Sequence, residues 1–199
     1  AGQRRLRTGS FISDHERNAL AMNYATIKYY DIANGEGVRT SLFVSGCRHH
    51  CRDCFNAEAW PFDYGKPFDE EVESAIISSL SPSYIAGLSV LGGEPMETEN
   101  QAGLLPFLER VRRACPGKTV WIYSGFTFEE LTGSSPSRAF SPSSVRILEL
   151  CDVLVDGRFI AEEKDISLQF RGSRNQRIID LRATLASGSI QIWKDSFIQ

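Results

Sequence analysis

The sequence has no run of apolar residues that could cross a membrane as a helix. No stretch approaches the roughly 18 consecutive apolar residues that such a helix needs, although 42% of the 199 residues are hydrophobic. It also has no excess of positive charge, since 22 Lys and Arg residues stand against 25 Asp and Glu residues. Nucleic-acid-binding modules usually carry a basic excess. The composition therefore argues against membrane and nucleic-acid partners and predicts an ordinary globular domain.

Cysteine is scarce, and five cysteines cannot all pair in disulfides. Cys47, Cys51 and Cys54 lie within eight residues, whereas Cys115 and Cys151 stand alone. Short spacings strain a disulfide and suit a metal site. The pattern predicts a reducing, cytoplasmic location and a metal or cluster ligand set.

Residues 1–21 differ from the rest of the chain. They carry four arginines against two acids, and Met22 is a sensible start residue. An organellar presequence would also be Arg-rich, but the two acids count against it. We expect residues 1–21 to be a disordered leader, native or added for expression, and residues 22–199 to form a single domain.

Predicted strands and helices alternate along the chain. This alternation predicts an α/β fold with a mostly parallel sheet, in which functional groups gather at the carboxyl ends of the strands. Pro106 is expected to open or kink its helix, and Thr127 with Glu130 has the spacing of a capping box. The predicted strands are 39–46, 84–91, 118–124 and 152–156, with weaker ones at 176–181 and 189–193, and the predicted helices are 68–80, one around Leu104–Val111, and 144–150.

The segment from Cys47 to Cys54 has the spacing C-x3-C-x2-C. A cubane cluster has four irons, so three thiolates on one loop would leave one iron with an open position. A structural zinc site would instead close with four ligands, and His49 or His50 could supply the fourth. Both histidines lie between two of the cysteines, where simultaneous ligation would crowd the loop. The spacing therefore favours an iron–sulfur cluster over zinc.

These features resemble a known protein family. The triplet, the preceding run RTSLFVSG and the following Phe55-Asn56 are similar to the radical S-adenosylmethionine (SAM) superfamily. Further motifs resemble the activating proteins of anaerobic ribonucleoside-triphosphate reductase, namely DIANGEGVR, SGCRHHCRDCFN, GGEP, WIYSGF, DVLVDGRF and RGSRNQR. The resemblance runs from Met22 to about Leu181 and implies a partial βα barrel of radical SAM type.

The resemblance also implies a set of site residues. Cys47, Cys51 and Cys54 would hold a [4Fe-4S] cluster whose fourth iron binds the amine and carboxylate of SAM. The turn Gly92-Gly93-Glu94 would bind the methionine amine through backbone carbonyls, which suits glycine because the main chain can approach closely. Weaker candidates for the ribose hydroxyls or the SAM carboxylate are Ser124, Asp156, Arg158 and Arg171; for the two arginines, an ion pair is an equally good interpretation.

One residue departs from the family pattern. Many radical SAM enzymes have an aromatic residue just before the third cysteine, where this chain has Asp53. We expect the backbone from Asp53 to Phe55 to contact the adenine, with the Phe55 ring as a candidate platform. His49 and His50 are expected to tune or shield the cluster loop rather than to bind metal.

The function that the resemblance implies is activation of a glycyl-radical enzyme. SAM would be cleaved reductively, with an electron from a donor such as flavodoxin, and a glycyl radical would form on the large subunit of the anaerobic reductase. Three alternatives stay open: an activase of another glycyl-radical enzyme such as pyruvate formate-lyase, a radical SAM enzyme acting on a small molecule such as a deazapurine synthase, and a zinc-stabilised binding module.

Overall fold

The computed structural model of the chain describes residues 22–194. The predicted leader and the last five residues of the predicted domain lie outside them. The described residues form seven strands and five α-helices, with short 3-10 turns at Ala57–Ala59 and Ala161–Glu163. In chain order they are β1 Asn23–Asp31, β2 Val38–Val44, β3 Lys66–Pro67, α1 Glu70–Ser79, β4 Ile85–Gly92, α2 Thr98–Ala114, β5 Thr119–Ser124, α3 Phe128–Leu131, α4 Pro142–Glu149, β6 Val153–Asp156, β7 Arg177–Asp180 and α5 Leu181–Ser187.

The strands form one sheet in the order β3-β1-β2-β4-β5-β6-β7. The central strands β2, β4, β5 and β6 are parallel, whereas β1, β3 and β7 pair antiparallel at the edges. The fold is therefore mixed α/β with a parallel centre, as the alternation of strands and helices predicts. Parallel pairing places the carboxyl ends of β2, β4, β5 and β6 at the same edge of the sheet.

The two faces of the sheet pack differently. Alternate residues of the strands, among them Leu42, Leu88 and Ile122, join buried helix residues such as Phe107 and Ile147 in the main core. The opposite face carries a smaller cluster around Trp121, Val155 and Ile178. Side chains alternate between the two faces of a strand, so residues that are neighbours in sequence pack in different clusters. The cluster on the second face is the smaller one.

A buried arginine joins three of the central strands. Arg39 of β2 is 1% exposed and donates to Ser89 Oγ at 2.7 Å and to the carbonyl oxygens of Leu88 at 2.8 Å and Thr119 at 3.0 Å. Burial lowers the pKa of its guanidinium to about 10. Ser89 Oγ in turn donates to the carbonyl of Asn34, which fixes the β1–β2 loop against the second face.

Several helix boundaries follow from local sequence. Asp69 caps α1 by accepting from Val72 N at 3.0 Å, and the predicted capping box at Thr127 and Glu130 is confirmed. Ser141 forms a second capping box with Pro142 in the first turn. The helix predicted from Ser144 therefore begins two residues earlier than expected.

Three expectations about elements need correction. Pro106 does not open its helix but lies inside α2, because buried contacts of Asn100 and Gln101 fix the helix start upstream; a kink at Pro106 stays a prediction. The strand predicted over 189–193 is only an isolated bridge between Ile179 and Ile192. Strands β1 and β3 have no counterpart among the predicted strands, because no residue of β1 is fully buried and β3 has only two residues. No helix within residues 22–194 has the length and apolar character to span a membrane.

Candidate active site

A cavity of about 430 Å³ opens where the parallel strands end. Its wall includes the loop after β2, the turn after β4, the end of β5 and the segment after β6. This is the edge of the sheet at which α/β proteins bind ligands. Of the predicted site residues, ten line this cavity: Cys47, Cys51, Asp53, Cys54, Phe55, Gly92, Gly93, Glu94, Ser124 and Arg171.

The three cysteines of the triplet share the cavity wall as free thiols. Cys47 is buried, whereas Cys51 and Cys54 are half-buried. The loop that carries them turns tightly, with Cys54 N donating to the carbonyl of Cys51 at 3.2 Å and left-handed backbone at His50 and Asp53. Cys115 and Cys151 do not line the cavity.

The environment of the thiols suits a cluster of several metal ions. Burial raises the pKa of Cys47 to about 12 and also raises the pKa of Cys51, so thiolates there need cations beside them. Within residues 22–194, no three His, Cys, Asp or Glu side chains converge on a position for one metal ion. Three thiols on one cavity wall are compatible with ligands to different irons of a cubane cluster.

The glycine turn leaves no room for side chains. Gly92 has a φ of +115°, and a Cβ on Gly93 would lie 2.6 Å from the carbonyl oxygen of Gly46. Gly93 N donates to the Val44 carbonyl at 2.7 Å, and Glu94 N to the Gly46 carbonyl at 2.8 Å. The turn therefore rests directly on the strand end that leads into the cysteine loop, and its backbone lines the cavity.

The carboxylate of Glu94 is buried and fully occupied by hydrogen bonds. Oε1 accepts from Met96 N and from Ser124 Oγ, each at 2.8 Å. Oε2 accepts from Gly125 N at 2.7 Å and faces His49 Nε2 at 3.1 Å. This side chain is therefore engaged by protein groups, whereas the backbone of the same turn is the part that lines the ligand space.

The remaining polar candidates are placed differently from one another. Arg171 lines the cavity and donates to the carbonyl of Gln176. Arg158 is outside the cavity lining and donates to His49 Nδ1 from Nε at 3.1 Å and from Nη2 at 3.0 Å. Asp156 is fully buried, where it pairs with Arg177 and accepts from Phe128 N at 2.7 Å. The structure thus brings Arg171 to the ligand space and places Arg158 and Asp156 behind it.

The two candidates for adenine contact lie at the mouth of the cavity. The ring of Phe55 is 82% exposed, and Asp53 has a φ of +57°. The left-handed backbone of Asp53, next to Cys54, turns the chain sharply. The segment from Asp53 to Phe55 therefore forms a bend that lines the cavity.

Two cavity residues were missed by the motif analysis. Tyr123 Oη and Trp60 Nε1 are buried polar atoms that have no hydrogen-bond partner among the described residues, and both side chains border the cavity. Unpaired buried donors are costly and call for a ligand atom. Tyr123 precedes Ser124 within the motif WIYSGF. Because side chains alternate between the two faces of β5, the position of Tyr123 beside Ser124 could have placed it on the opposite face of the strand.

A second buried carboxylate fixes the start of the cysteine loop. Glu97 accepts from Arg48 N at 3.0 Å and from Arg138 Nη2 at 2.7 Å. Burial alone would raise the pKa of Glu97, but the hydrogen bonds from Arg138 and Arg48 outweigh it and hold this pKa below its ordinary value. Arg48 directly follows Cys47, so this anchor acts on the first cysteine of the triplet.

Comparison with known proteins shows a consistent set of similarities. Residues 33–179 match the protein family described as "4Fe-4S single cluster domain". Three proteins called anaerobic ribonucleoside-triphosphate reductase-activating protein are similar over most of their length. The chain is 45% identical to the Pasteurella multocida protein, covering 79% of this chain and 96% of that one. It is 39% identical to the Escherichia coli K12 protein over 81% and 100%, and 33% identical to the phage T4 protein over 79% and 93%.

Proposed function

The chain belongs to the family of anaerobic ribonucleoside-triphosphate reductase-activating proteins, and we propose that it generates a glycyl radical on the large subunit of that reductase. The observation that carries this proposal is the shared cavity in which three thiols face the glycine turn after β4. Reductive cleavage of SAM requires a cluster and a bound sulfonium side by side, and this cavity offers a separate set of groups for each.

The cysteine loop and the glycine turn divide the binding task. Cys47, Cys51 and Cys54 hold one [4Fe-4S] cluster, and carbonyls of the turn at Gly92 and Gly93 accept hydrogen bonds from the methionine amine. A cluster held by these cysteines would supply the electron for reductive cleavage of SAM, and this chemistry would allow a hydrogen atom to be taken from a glycine of the partner.

Other cavity residues orient the nucleoside and keep water out. Apolar side chains such as Leu91, Leu168 and Phe170 also line the cavity, which limits quenching of a radical by solvent. Arg171 is placed to meet the carboxylate, and the segment from Asp53 to Phe55 to meet the adenine. Ser124, Arg158 and Asp156 act on the cavity through the residues that they contact.

The sheet does not close into a full barrel, and this leaves a side through which a protein substrate can reach the cavity. The edge strands β3 and β7 do not pair with each other, so we propose a partial βα barrel of radical SAM type over residues 22–199 whose open side admits a polypeptide loop. The electron comes from a one-electron donor such as flavodoxin, and the reaction takes place in the cytoplasm without nucleic acid or membrane.

Electron paramagnetic resonance (EPR) tests the proposed partner. The chain is reconstituted anaerobically with iron and sulfide, then incubated with SAM, a reductant and the large reductase subunit. We expect a glycyl doublet on that subunit, and its absence while the cluster is reduced would reject the proposal. A doublet on pyruvate formate-lyase alone would indicate a different activase. SAM consumption only with a small molecule, or a colourless zinc protein, would indicate the other two alternatives.

A further inference from the structure

The side chain of His49 lies between two strand ends although its backbone belongs to the cysteine loop. The ring is 5% exposed and packs on Phe126 with centroids 4.4 Å apart. One ring nitrogen faces Glu94 Oε2 at 3.1 Å, and the other faces the guanidinium of Arg158 at 3.0 and 3.1 Å. A histidine that only shielded the cluster from solvent would not need a polar partner at each of its two ring nitrogens.

The partners determine which nitrogen carries the proton. A guanidinium has donors only, so Nδ1 of His49 accepts from Arg158 and carries no proton. Nε2 then carries it and donates to the carboxylate of Glu94. One tautomer of the neutral ring satisfies both contacts, and neither contact can be made if the ring is turned over.

The contact with Glu94 joins the ring to two parallel strands. The same carboxylate accepts from Ser124 Oγ and from Gly125 N at the end of β5, and it belongs to the turn that ends β4. A Cβ on Gly125 would lie 2.6 Å from Cδ2 of His49. The absence of a side chain at Gly125 is what allows the ring to reach this position.

The backbone of the same residue reaches the first cysteine. His49 N donates to Cys47 Sγ at 3.4 Å, and such bonds to cluster sulfurs help to set the reduction potential. Fixing the ring therefore fixes the N–H that faces the sulfur.

We propose that His49 is a positioning residue that keeps the cysteine loop in register with the glycine turn. The inference rests on the proposed function and adds to it, because it assigns Glu94 and Arg158 to holding this ring rather than to binding SAM with their side chains. Losing the ring loosens the distance between the cluster and the amine site. It also removes the restraint on the N–H that faces Cys47.

Reconstituted holoprotein with His49→Ala tests the proposal, with His50→Ala as the matched control. His50 is in the same loop, but its ring stacks on Trp60. We expect His49→Ala to weaken SAM binding about tenfold, as loss of outer-shell partners does, to raise KM for SAM more than it lowers kcat, and to make the midpoint potential more negative. His49→Gln, whose amide has both a donor and an acceptor, restores most of the affinity.

A double-mutant cycle separates this role from direct contact with SAM. Arg158 is exposed, so Arg158→Met should leave folding intact while weakening SAM binding several-fold. Combined with His49→Ala, it adds no further loss, because both changes remove one interaction. Additive losses, or a His49→Ala protein with unchanged SAM affinity and potential, would overturn the inference. If His49→Ala takes up no cluster, the cycle is run with His49→Phe, which keeps a ring of similar size and removes both polar contacts.

The readouts distinguish this inference from the proposed function. If the EPR spectrum of the reduced wild-type cluster does not change when SAM is added, the proposed function itself is contradicted. A wild-type cluster that responds to SAM, together with a His49→Ala cluster that responds at the same SAM concentration, contradicts only the role of His49.

Discussion

At the scale of single residues, the site depends on side chains whose chemistry has no substitute. The thiols of the triplet are soft ligands in a cavity where burial raises the pKa of Cys47 and Cys51. Cys47 and Cys51 therefore become thiolates more readily when a metal cation binds the sulfur.

Cys51→Ala should abolish SAM cleavage and leave the fold largely intact, because a half-buried thiol contributes little packing. Deoxyadenosine production by the reconstituted variant is the measurement. Cys115→Ala is the matched control, since its thiol contacts the carbonyl of Ile77 and does not line the cavity. Deoxyadenosine formed at the wild-type rate by the Cys51 variant would contradict the ligand assignment.

Gly93→Ala should weaken SAM binding at least about tenfold, because the new methyl group must push the turn away from the Gly46 carbonyl. Binding titrations on the reconstituted protein measure the change. Gly117→Ala introduces the same methyl group where nothing lies within 4 Å, and it should bind SAM like the wild type. Equal affinities for the two variants would show that the turn is not a ligand site.

At the scale of elements, the segment between β4 and α2 organises the cavity. Glu94, Glu97 and Asn100 lie within seven residues, and each bonds to the end of β2 or to the cysteine loop. Asn100 Nδ2, for example, donates to the carbonyls of Ser45 at 2.9 Å and Glu94 at 2.8 Å. The start of α2 thus holds both the cysteine loop after β2 and the glycine turn after β4. No motif in the sequence of either loop predicts these contacts.

Glu97→Gln should destabilise the protein by about 1 to 3 kcal/mol at pH 7, because Arg48 and Arg138 lose a buried charged acceptor. The pKa of Glu97 is held below its ordinary 4.5, so this contribution is fully present above about pH 4.5 and is lost as pH falls through the folded value. Urea unfolding at pH 7 and at pH 3 should therefore show a difference between variant and wild type that shrinks in acid.

The control for that comparison is Glu149→Gln. Glu149 pairs with Arg146 on the exposed surface of α4, where such pairs contribute less than about 0.5 kcal/mol. A Glu97 variant that loses no more stability than this control would mean that the buried ion pairs are not needed to hold the loop.

At the scale of the whole molecule, ligand binding and folding are coupled through the cavity. It is bordered by segments that follow β2, β4, β5 and β6, so anything bound there stabilises the folded chain over the unfolded one. SAM at a hundred times its dissociation constant should add about 2.7 kcal/mol, or roughly 5 to 10 °C in melting temperature for a domain of this size.

Anaerobic calorimetry of the reconstituted protein with and without SAM measures this shift. The protein without iron serves as the control, because it lacks the open iron that SAM would bind, and its melting temperature should rise much less. Equal shifts with and without the cluster would place SAM away from the cysteines.

The sequence by itself determined the parts of this protein that are local along the chain. The triplet of thiols spans eight residues, the glycine turn three, and the capping box at Thr127 four, so each can be recognised in a short stretch of sequence. The capping box is confirmed, whereas the ligand roles of the triplet and the turn follow from the family resemblance and stay predictions. The central strands were predicted within about two residues, because buried parallel strands are continuous apolar runs. Strand β1, in which no residue is fully buried, has no such run.

Only the tertiary structure decided how the candidate residues work together. His49 is 45 residues from Glu94 and 109 from Arg158 in sequence, and no spacing rule predicts a contact over such separations. Parallel pairing brings the ends of distant strands to one edge, where buried polar groups must find partners or pay for their desolvation. That requirement brought Ser124 and His49 to the carboxylate of Glu94, and Arg158 contacts the other nitrogen of His49. The backbone of the glycine turn borders the cavity.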